Sequence, residues 1–195
     1  MFPQIYVLKY LTLYSSGSAV STYKILPTGG LALLQNIFFK LTTPGANPSR
    51  QDAPHPHEAL LDPSGTFIVV PDLGADLVRV FRINRYTSAI NEITGLTLPP
   101  GAGPRHGAFL KTNDATYFFL VAELDNIVRS YKVTYGMDLI TFEEVFSAGM
   151  FGPDPTPAGA AAAEALVSVC VTFSSVPFNT DRSLARWEIS PNVVS

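Results

Sequence analysis

The sequence lacks the features of several protein classes. Among its 195 residues, Cys170 is the only cysteine, so the chain can form neither an intramolecular disulfide nor a cysteine-rich zinc site. Charged residues make up 15% of the chain, the formal net charge is −3, and no basic stretch is interleaved with aromatic residues. This composition argues against nucleic acid as a partner. The apolar runs are far shorter than the ~20 residues that cross a bilayer, so we expect no membrane partner.

The N-terminal segment is not organised like a secretory signal. Its first 15 residues are largely apolar, but Pro3, Gln4 and Lys9 interrupt them. Neither a basic region nor a small-residue cleavage site accompanies the apolar run. Together with the single cysteine, this favours a reducing compartment and predicts a cytoplasmic location.

The sequence also lacks the common motifs of nucleophilic, nucleotide and metal chemistry. It contains no serine or cysteine nucleophile motif and no Gly-X-Gly-X-X-Gly motif. Its three histidines and scattered acidic residues do not form a metal-binding pattern. We therefore expect neither a cofactor nor a metal ion.

Two segments of the chain are similar to each other. Residues 57–84 begin with His57 and residues 106–134 begin with His106, which sets a repeat distance of 49 residues. Each segment has a short apolar run, a polar turn, a continuous β-branched or aromatic run, an acidic turn and an alternating run. Weaker copies lie at residues 6–25, without a first strand, and at residues 160–169. The alanines at 160–163 have helical propensity, but the phase of the repeat favours a strand there.

This repeat predicts an all-β chain. Three to four antiparallel strands in each unit of roughly 50 residues, separated by Gly, Pro and Asp turns, are typical of a β-propeller blade. A β-sandwich is the main alternative, but it does not explain so long a period. The chain holds about three to four blades, whereas a closed ring needs typically 4–8, so we expect an incomplete ring. Residues 1–168 form the predicted partial propeller, and residues 169–195 form a divergent tail.

The topology of a blade predicts where polar groups meet. In an antiparallel pair, the start of the first strand and the end of the second lie at the same end of the sheet. Because the innermost strand of a blade comes first, His57 and His106 should face the acidic turns at Asp72 and Glu123 across one mouth of the central channel. Arg105 would join them there, with a planar fork that suits carboxylate or phosphate. The alternative role for this arginine is binding the carbonyl groups of loops.

The candidate acid and base groups each have a structural alternative. A histidine such as His57 titrates near neutral pH when unperturbed and suits proton transfer, but it can also bond to the backbone of a proline-rich turn. His55 lies two residues away and would face the same side. Glu123, at the end of a buried strand, is either a proton-transfer group or the partner of Arg105 or Arg129 in an ion pair.

The acidic residues of the first repeat are assigned differently. Asp72 and Asp76 are interpreted mainly as turn-capping residues, because aspartates in such turns commonly bind their own backbone.

Four ordered motifs carry a resemblance to a known family: Arg-Gln-Asp-Ala-Pro-His-Pro-His at 50–57, Leu-Asp-Pro-Ser-Gly at 61–65, Val-Pro-Asp-Leu-Gly-Ala-Asp at 70–76 and Pro-Gly-Ala-Gly-Pro-Arg-His at 100–106. They resemble the seven-bladed β-propeller lactonases. That family includes fungal carboxy-cis,cis-muconate lactonizing enzymes and the propeller type of 6-phosphogluconolactonase. The similarity spans about residues 5–168, which implies a partial seven-bladed ring.

The resemblance implies lactone chemistry on a small anionic substrate without a cofactor. The fungal character of the motifs at 50–57 and 71–76 favours cyclisation of a carboxymuconate, with His57 and Glu123 as the acid/base pair. The residues implied to bind the substrate are Arg105, His106, Arg50 and His55. A 6-phosphogluconolactonase-like hydrolase is the first alternative. A non-catalytic propeller fragment is the second, and its open sheet edges would favour self-association.

The tail departs from the family pattern. After Ala163 and Glu164 the family continues with a Ser-Pro-Asp-Gly turn, an apolar strand and an Asn-Arg pair, whereas only Asn179 stands near the expected arginine. Our hypothesis is that the residues from about 169 onward come from a shifted reading frame or a retained intron. We also expect that the first blade is missing at the N-terminus.

Overall fold

The computed structural model describes residues 18–167 in full and, outside them, the backbone of three strands at Ile5–Leu8, Thr172–Phe178 and Ala185–Glu188. The described residues form fourteen strands in four antiparallel sheets. Within each sheet, strands that are consecutive in sequence are neighbours, so each sheet is a meander. No helix long and apolar enough to cross a membrane occurs in these residues.

We call the four sheets blades 1 to 4 in chain order. Blade 1 contains β1 (Ile5–Leu8), β2 (Ser18–Ile25) and β3 (Leu31–Phe39). Blade 2 contains β4 (Leu60–Leu61), β5 (Phe67–Asp72), β6 (Leu77–Ile83) and β7 (Ile90–Thr97). Blade 3 contains β8 (Pro104–Lys111), β9 (Thr116–Ala122), β10 (Ile127–Tyr135) and β11 (Ile140–Gly149). Blade 4 contains β12 (Ala161–Val167), β13 (Thr172–Phe178) and β14 (Ala185–Glu188).

The second strand of blade 2 is buried on both of its faces. On one face of β5, Phe67 and Val69 pack in a core with Phe118 of blade 3. On the other face, Ile68 and Val70 belong to the core that blade 2 shares with blade 1. Successive side chains of a strand point to opposite faces, so this strand contributes to two cores and its sequence is continuously apolar.

The second strand of blade 3 follows the same rule. Phe118 and Leu120 of β9 face blade 2, whereas Phe119 and Val121 pack in a core with Ala162 and other residues of blade 4. The interfaces between blades are therefore the hydrophobic cores of the molecule. Each interface is supplied by alternate residues of neighbouring strands, as the face-to-face stacking of propeller blades requires.

The turn before β5 is fixed by an aspartate. Asp62 is buried, and its carboxylate accepts hydrogen bonds from the backbone N–H groups of Ser64, Thr66 and Phe67 at 2.7 to 2.9 Å. Gly65 adopts a φ of 68°, which glycine tolerates without steric cost. The turn predicted at residues 62–65 is confirmed.

The fold confirms the predicted propeller repeat, including the strand that begins in the alanine run. Residues 161–167 form β12, and Ala162 and Ala165 of this strand pack in the core against blade 3. Cys170, Asn179 and the predicted turn at residues 15–17 lie outside the described residues. The two strands described beyond residue 168 pair with β12 and with each other. The domain boundary at 168 stays a prediction.

The core between blades 2 and 3 can be tested at Phe118. Its ring is fully buried, with its centroid 4.8 Å from that of Phe109 and 5.6 Å from that of Phe142. Phe118→Ala should lower the free energy of unfolding by ~3–5 kcal/mol, because it removes buried apolar contacts and leaves a cavity. Tyr86→Ala is the matched control, since Tyr86 is 96% exposed and should cost below ~1 kcal/mol. Urea unfolding measures both, and equal losses would contradict this core.

The outer strand of blade 1 exposes apolar surface. Leu31, Leu33, Leu34 and Phe38 of β3 are all exposed. Exposed apolar patches and sheet edges favour association with another chain, so we expect the 195-residue chain to self-associate. Size-exclusion chromatography with light scattering should show species larger than a monomer, and Leu34→Lys with Phe38→Lys should shift them towards the monomer. A monodisperse wild-type monomer at all concentrations would contradict this expectation.

Candidate functional site

The first strand of blade 3 begins with an irregularity that carries an arginine. In the pairing of β8 with β9, Pro104 lies opposite Ala122 and His106 opposite Val121, so Arg105 is an extra residue between them. Such a bulge turns side chains out of the regular alternation of a strand. Arg105 and His106, although consecutive, both contact blade 4.

Blades 2 and 4 each place one residue at the register position that His106 occupies in blade 3. In blade 4, β12 has the same irregularity, with Ala163 as the extra residue before Glu164. In blade 2, Pro56 lies opposite Asp72 and the backbone N–H of His57 donates to the carbonyl oxygen of Pro71 at 2.8 Å, so the extra residue of this blade comes after His57, before Leu60 pairs with Val69. His57, the histidine of blade 3 and Glu164 therefore occupy equivalent positions at the start of three neighbouring inner strands.

These three side chains form a continuous row. His57 Nδ1 lies 3.2 Å from His106 Nε2, and the two rings meet edge to face with centroids 5.0 Å apart. On its other side, His106 Nδ1 lies 2.9 Å from Glu164 Oε2. The side chain of His106 is mostly buried, whereas that of Glu164 is 39% exposed. The row thus leads from a solvent-accessible carboxylate through one imidazole to another.

A second group of charges adjoins this row. Glu123, the first residue of the turn after β9, forms ion pairs with two arginines, one through each carboxylate oxygen. Arg50 Nη2 pairs with Oε1, and Arg105 Nε lies 2.7 Å from Oε2. The Nε–H of Arg105 is not aligned for a hydrogen bond, so this contact is an ion pair, while Nη1 donates to the carbonyl oxygen of Ala163. The side chain of Glu123 is 7% exposed and that of Arg50 is 48% exposed.

His55 does not join either group. Its Nε2 lies 2.9 Å from Asp52 Oδ1, its backbone N–H donates to Asp72 Oδ1 and its carbonyl oxygen accepts from the N–H of Leu73. The hydrogen bond from His55 is the main cause that lowers the pKa of Asp52. Between the two histidines of the His-Pro-His motif, it is His57 that contacts His106. Of the six residues predicted to form the site, His55 therefore lies outside both groups.

The expectation that Asp72 and Glu123 occupy equivalent positions in their blades is wrong by one residue. Asp72 is the last residue of β5, and its equivalent at the end of β9 is Ala122. Its buried carboxylate accepts from Arg79 Nε at 2.7 Å and from the backbone of His55 and Ala75. Burial raises the pKa of Asp72, and the charge of Arg79 acts in the opposite direction.

The turn-capping interpretation is confirmed for Asp72, whose carboxylate accepts from the N–H of Ala75 in its own turn. Asp76 instead accepts from the N–H groups of Gly101 and Gly103, in a different loop, at 2.7 and 2.8 Å. Asp76 thereby fixes the loop that leads into Arg105. Arg129 pairs with Asp125 at 2.6 Å, so of the two partners expected for Glu123 the structure shows Arg105.

Sequence reasoning missed Glu164. The available signal was its place in the weak fourth repeat, where it corresponds to the two repeat histidines, but the alanine run hid the phase. The part of the chain that the structure describes contains no group of three or more His, Cys, Asp or Glu residues placed to hold a metal ion.

The fold and this site define a class of protein: a partial β-propeller with arginines and histidines gathered where its inner strands begin. Residues 9–189 match the sequence model of the family described as lactonases with a seven-bladed β-propeller. The chain belongs to this family.

Two relatives with similar sequences are named as 6-phosphogluconolactonases. A protein of Arthroderma benhamiae named "Probable 6-phosphogluconolactonase" is 38% identical over 133 residues, which cover 68% of this chain and 33% of the relative. The 6-phosphogluconolactonase of Yersinia pestis is 36% identical over 88 residues, or 43% of this chain and 25% of the relative. The chain thus spans about a third or less of the length of these relatives.

Solved structures show the same fold. A protein from Lactobacillus plantarum superposes with a TM-score of 0.75 at 25% identity, over 89% of this chain and 48% of that one. The periplasmic gluconolactonase of Pseudomonas aeruginosa gives a TM-score of 0.71 at 22% identity, over 91% and 48%.

The ion pairs of Glu123 can be tested by neutralising its charge. Glu123→Gln leaves two guanidinium groups without their carboxylate, so it should lower the free energy of unfolding by ~1–3 kcal/mol. Glu143→Gln is the control, because Glu143 is an exposed residue of β11 and should change stability by less than ~0.5 kcal/mol. Urea unfolding at low and high salt gives both values. Indistinguishable midpoints for the two variants would show that these pairs contribute nothing to the fold.

Proposed function

We propose that this chain carries the active site of a lactone hydrolase for a phosphorylated sugar lactone of the 6-phosphogluconolactone type. The proposal rests on one observation: the two arginines that pair with Glu123, Arg50 and Arg105, adjoin the His57–His106 pair. The arginines can bind an anion, and the histidines can move a proton. The names of the relatives favour the same reaction.

The arginine pair suits a phosphate group. A guanidinium group presents several N–H donors in a rigid plane and binds phosphate through two parallel hydrogen bonds. Glu123 holds the two guanidinium groups close together, and about half of the Arg50 side chain reaches solvent. We assign Arg50 and Arg105 to substrate binding. Sequence reasoning assigned proton transfer to Glu123, but its two ion pairs support a positioning role.

The histidine pair suits activation of water. In lactone hydrolysis, the water oxygen forms a bond to the carbonyl carbon and the bond from that carbon to the ring oxygen breaks. One proton leaves the water and one reaches the ring oxygen as it departs. We assign the first transfer to His57 as general base and the second to the same imidazole as general acid. His106, in contact with it, stabilises the charged ring by sharing its proton.

The cyclase reaction uses similar groups, and sequence analysis favoured it. Arginines would then bind substrate carboxylates instead of phosphate. The relatives with printed activities are 6-phosphogluconolactonases, and this favours the hydrolase that sequence analysis held as the alternative. No contact within the site favours the cyclase separately.

The proposal is tested by hydrolysis of 6-phosphogluconolactone by the 195-residue chain. Arg105→Ala should lower kcat/KM by about 10- to 100-fold, because it removes charge-assisted hydrogen bonds to the phosphate. The loss should be much smaller with unphosphorylated gluconolactone. Arg85→Ala is the matched control, since Arg85 is exposed on the turn between β6 and β7 and should leave kcat/KM within about twofold.

Three results would contradict the proposal. They are hydrolysis by the wild-type chain no faster than in buffer, equal losses for both lactones on Arg105→Ala, and turnover of a carboxymuconate in place of the lactone. The first result would favour the non-catalytic fragment, and the last would favour the cyclase.

A further inference from the structure

We propose that Glu164 is a positioning residue that fixes the tautomer of His106 and, through it, that of His57. This inference rests on the proposed function only for its catalytic consequence. The structural part concerns which ring nitrogens carry protons, and it can be tested without any substrate.

The three groups are placed by the propeller repeat. They lie at one register position in blades 2, 3 and 4, and each contacts the next across a blade interface, at 3.2 Å and 2.9 Å. A second contact joins the same strands, because Glu58 Oε2 accepts from the backbone N–H of Gly107 at 2.8 Å. The segments that carry the two histidines are therefore held together by this side-chain-to-backbone bond as well as by the rings.

The proton positions follow from the chemistry of each atom. Glu164 Oε2 approaches Nδ1 of His106 to 2.9 Å as an ion-pair contact whose N–H is not aligned for a hydrogen bond, and a negative charge at that distance favours a proton on Nδ1. A neutral imidazole carries one proton, so Nε2 of His106 then holds the lone pair. That nitrogen faces His57 Nδ1, which must therefore donate. The lone pair of His57 is placed on Nε2.

This order gives Glu164 a defined effect on the reaction. The nitrogen that accepts the proton from water is Nε2 of His57, and its availability depends on a carboxylate two contacts away. A carboxylate that orients a histidine in this way is a recurrent arrangement in hydrolases and metal sites. Without Glu164, His106 can carry its proton on either nitrogen, and His57 is no longer restricted to one tautomer.

The primary test is the ring ¹⁵N spectrum of the 195-residue chain at a pH where both histidines are neutral. In the wild type, we expect His57 to be protonated on Nδ1. Glu164→Leu, which removes the carboxylate and keeps much of the side-chain volume, should shift His57 to a mixture of tautomers. Glu164→Gln keeps an acceptor oxygen and should give an intermediate spectrum. Glu143→Leu, on β11, should leave the spectrum unchanged.

The kinetic test uses 6-phosphogluconolactone. Glu164→Leu should lower kcat by about 10- to 100-fold with KM within about twofold, because it changes the base and leaves Arg50 and Arg105 in place. A wild-type His57 protonated on Nε2, or a tautomer unchanged in Glu164→Leu, would overturn this inference whatever the activity. Absence of hydrolysis by the wild type would overturn the proposed function, while a tautomer shift in Glu164→Leu would still support the role of Glu164.

Discussion

Face-to-face packing of neighbouring blades is the interaction on which the rest of this structure depends. A strand such as β5 sends Val69 into one interface and Val70 into the other, and each core among the described residues is shared by two blades. Each blade is stable only against its neighbours, as in other repeat architectures. This constraint also fixes the distance between inner strands. Side chains at one register position can therefore meet across an interface without any dedicated loop.

The site arises from small departures from this regular packing. Arg105 and Ala163 are extra residues at the start of two inner strands, and each shifts the following side chain by one position. As a result, Arg105 reaches Glu123 and Ala163 while His106 reaches Glu164. The regular part of each blade forms the packed interfaces, and the irregular first residues position the side chains of the candidate site.

The sequence predicted the features that depend on periodicity and missed those that depend on register. The buried strands around Phe67 and Phe118, the turn at Asp62 and the meeting of the repeat histidines follow from a repeat of apolar and turn residues. An inserted residue in a bulge leaves the apolar pattern almost unchanged, so the offset of Asp72 could not be predicted, and the place of Glu164 was indicated only by the weak fourth repeat. The pairing of Arg50 with Glu123, 73 residues apart, depends on the path of a loop that has no periodic pattern.

The position of Glu123 between two arginines gives the site an internal counterion. On the proposed function, a bound phosphate shares both guanidinium groups with a carboxylate that is already part of the protein, and the two anions repel each other. Its binding is then weaker than two arginines alone would give, and a negatively charged product dissociates more readily.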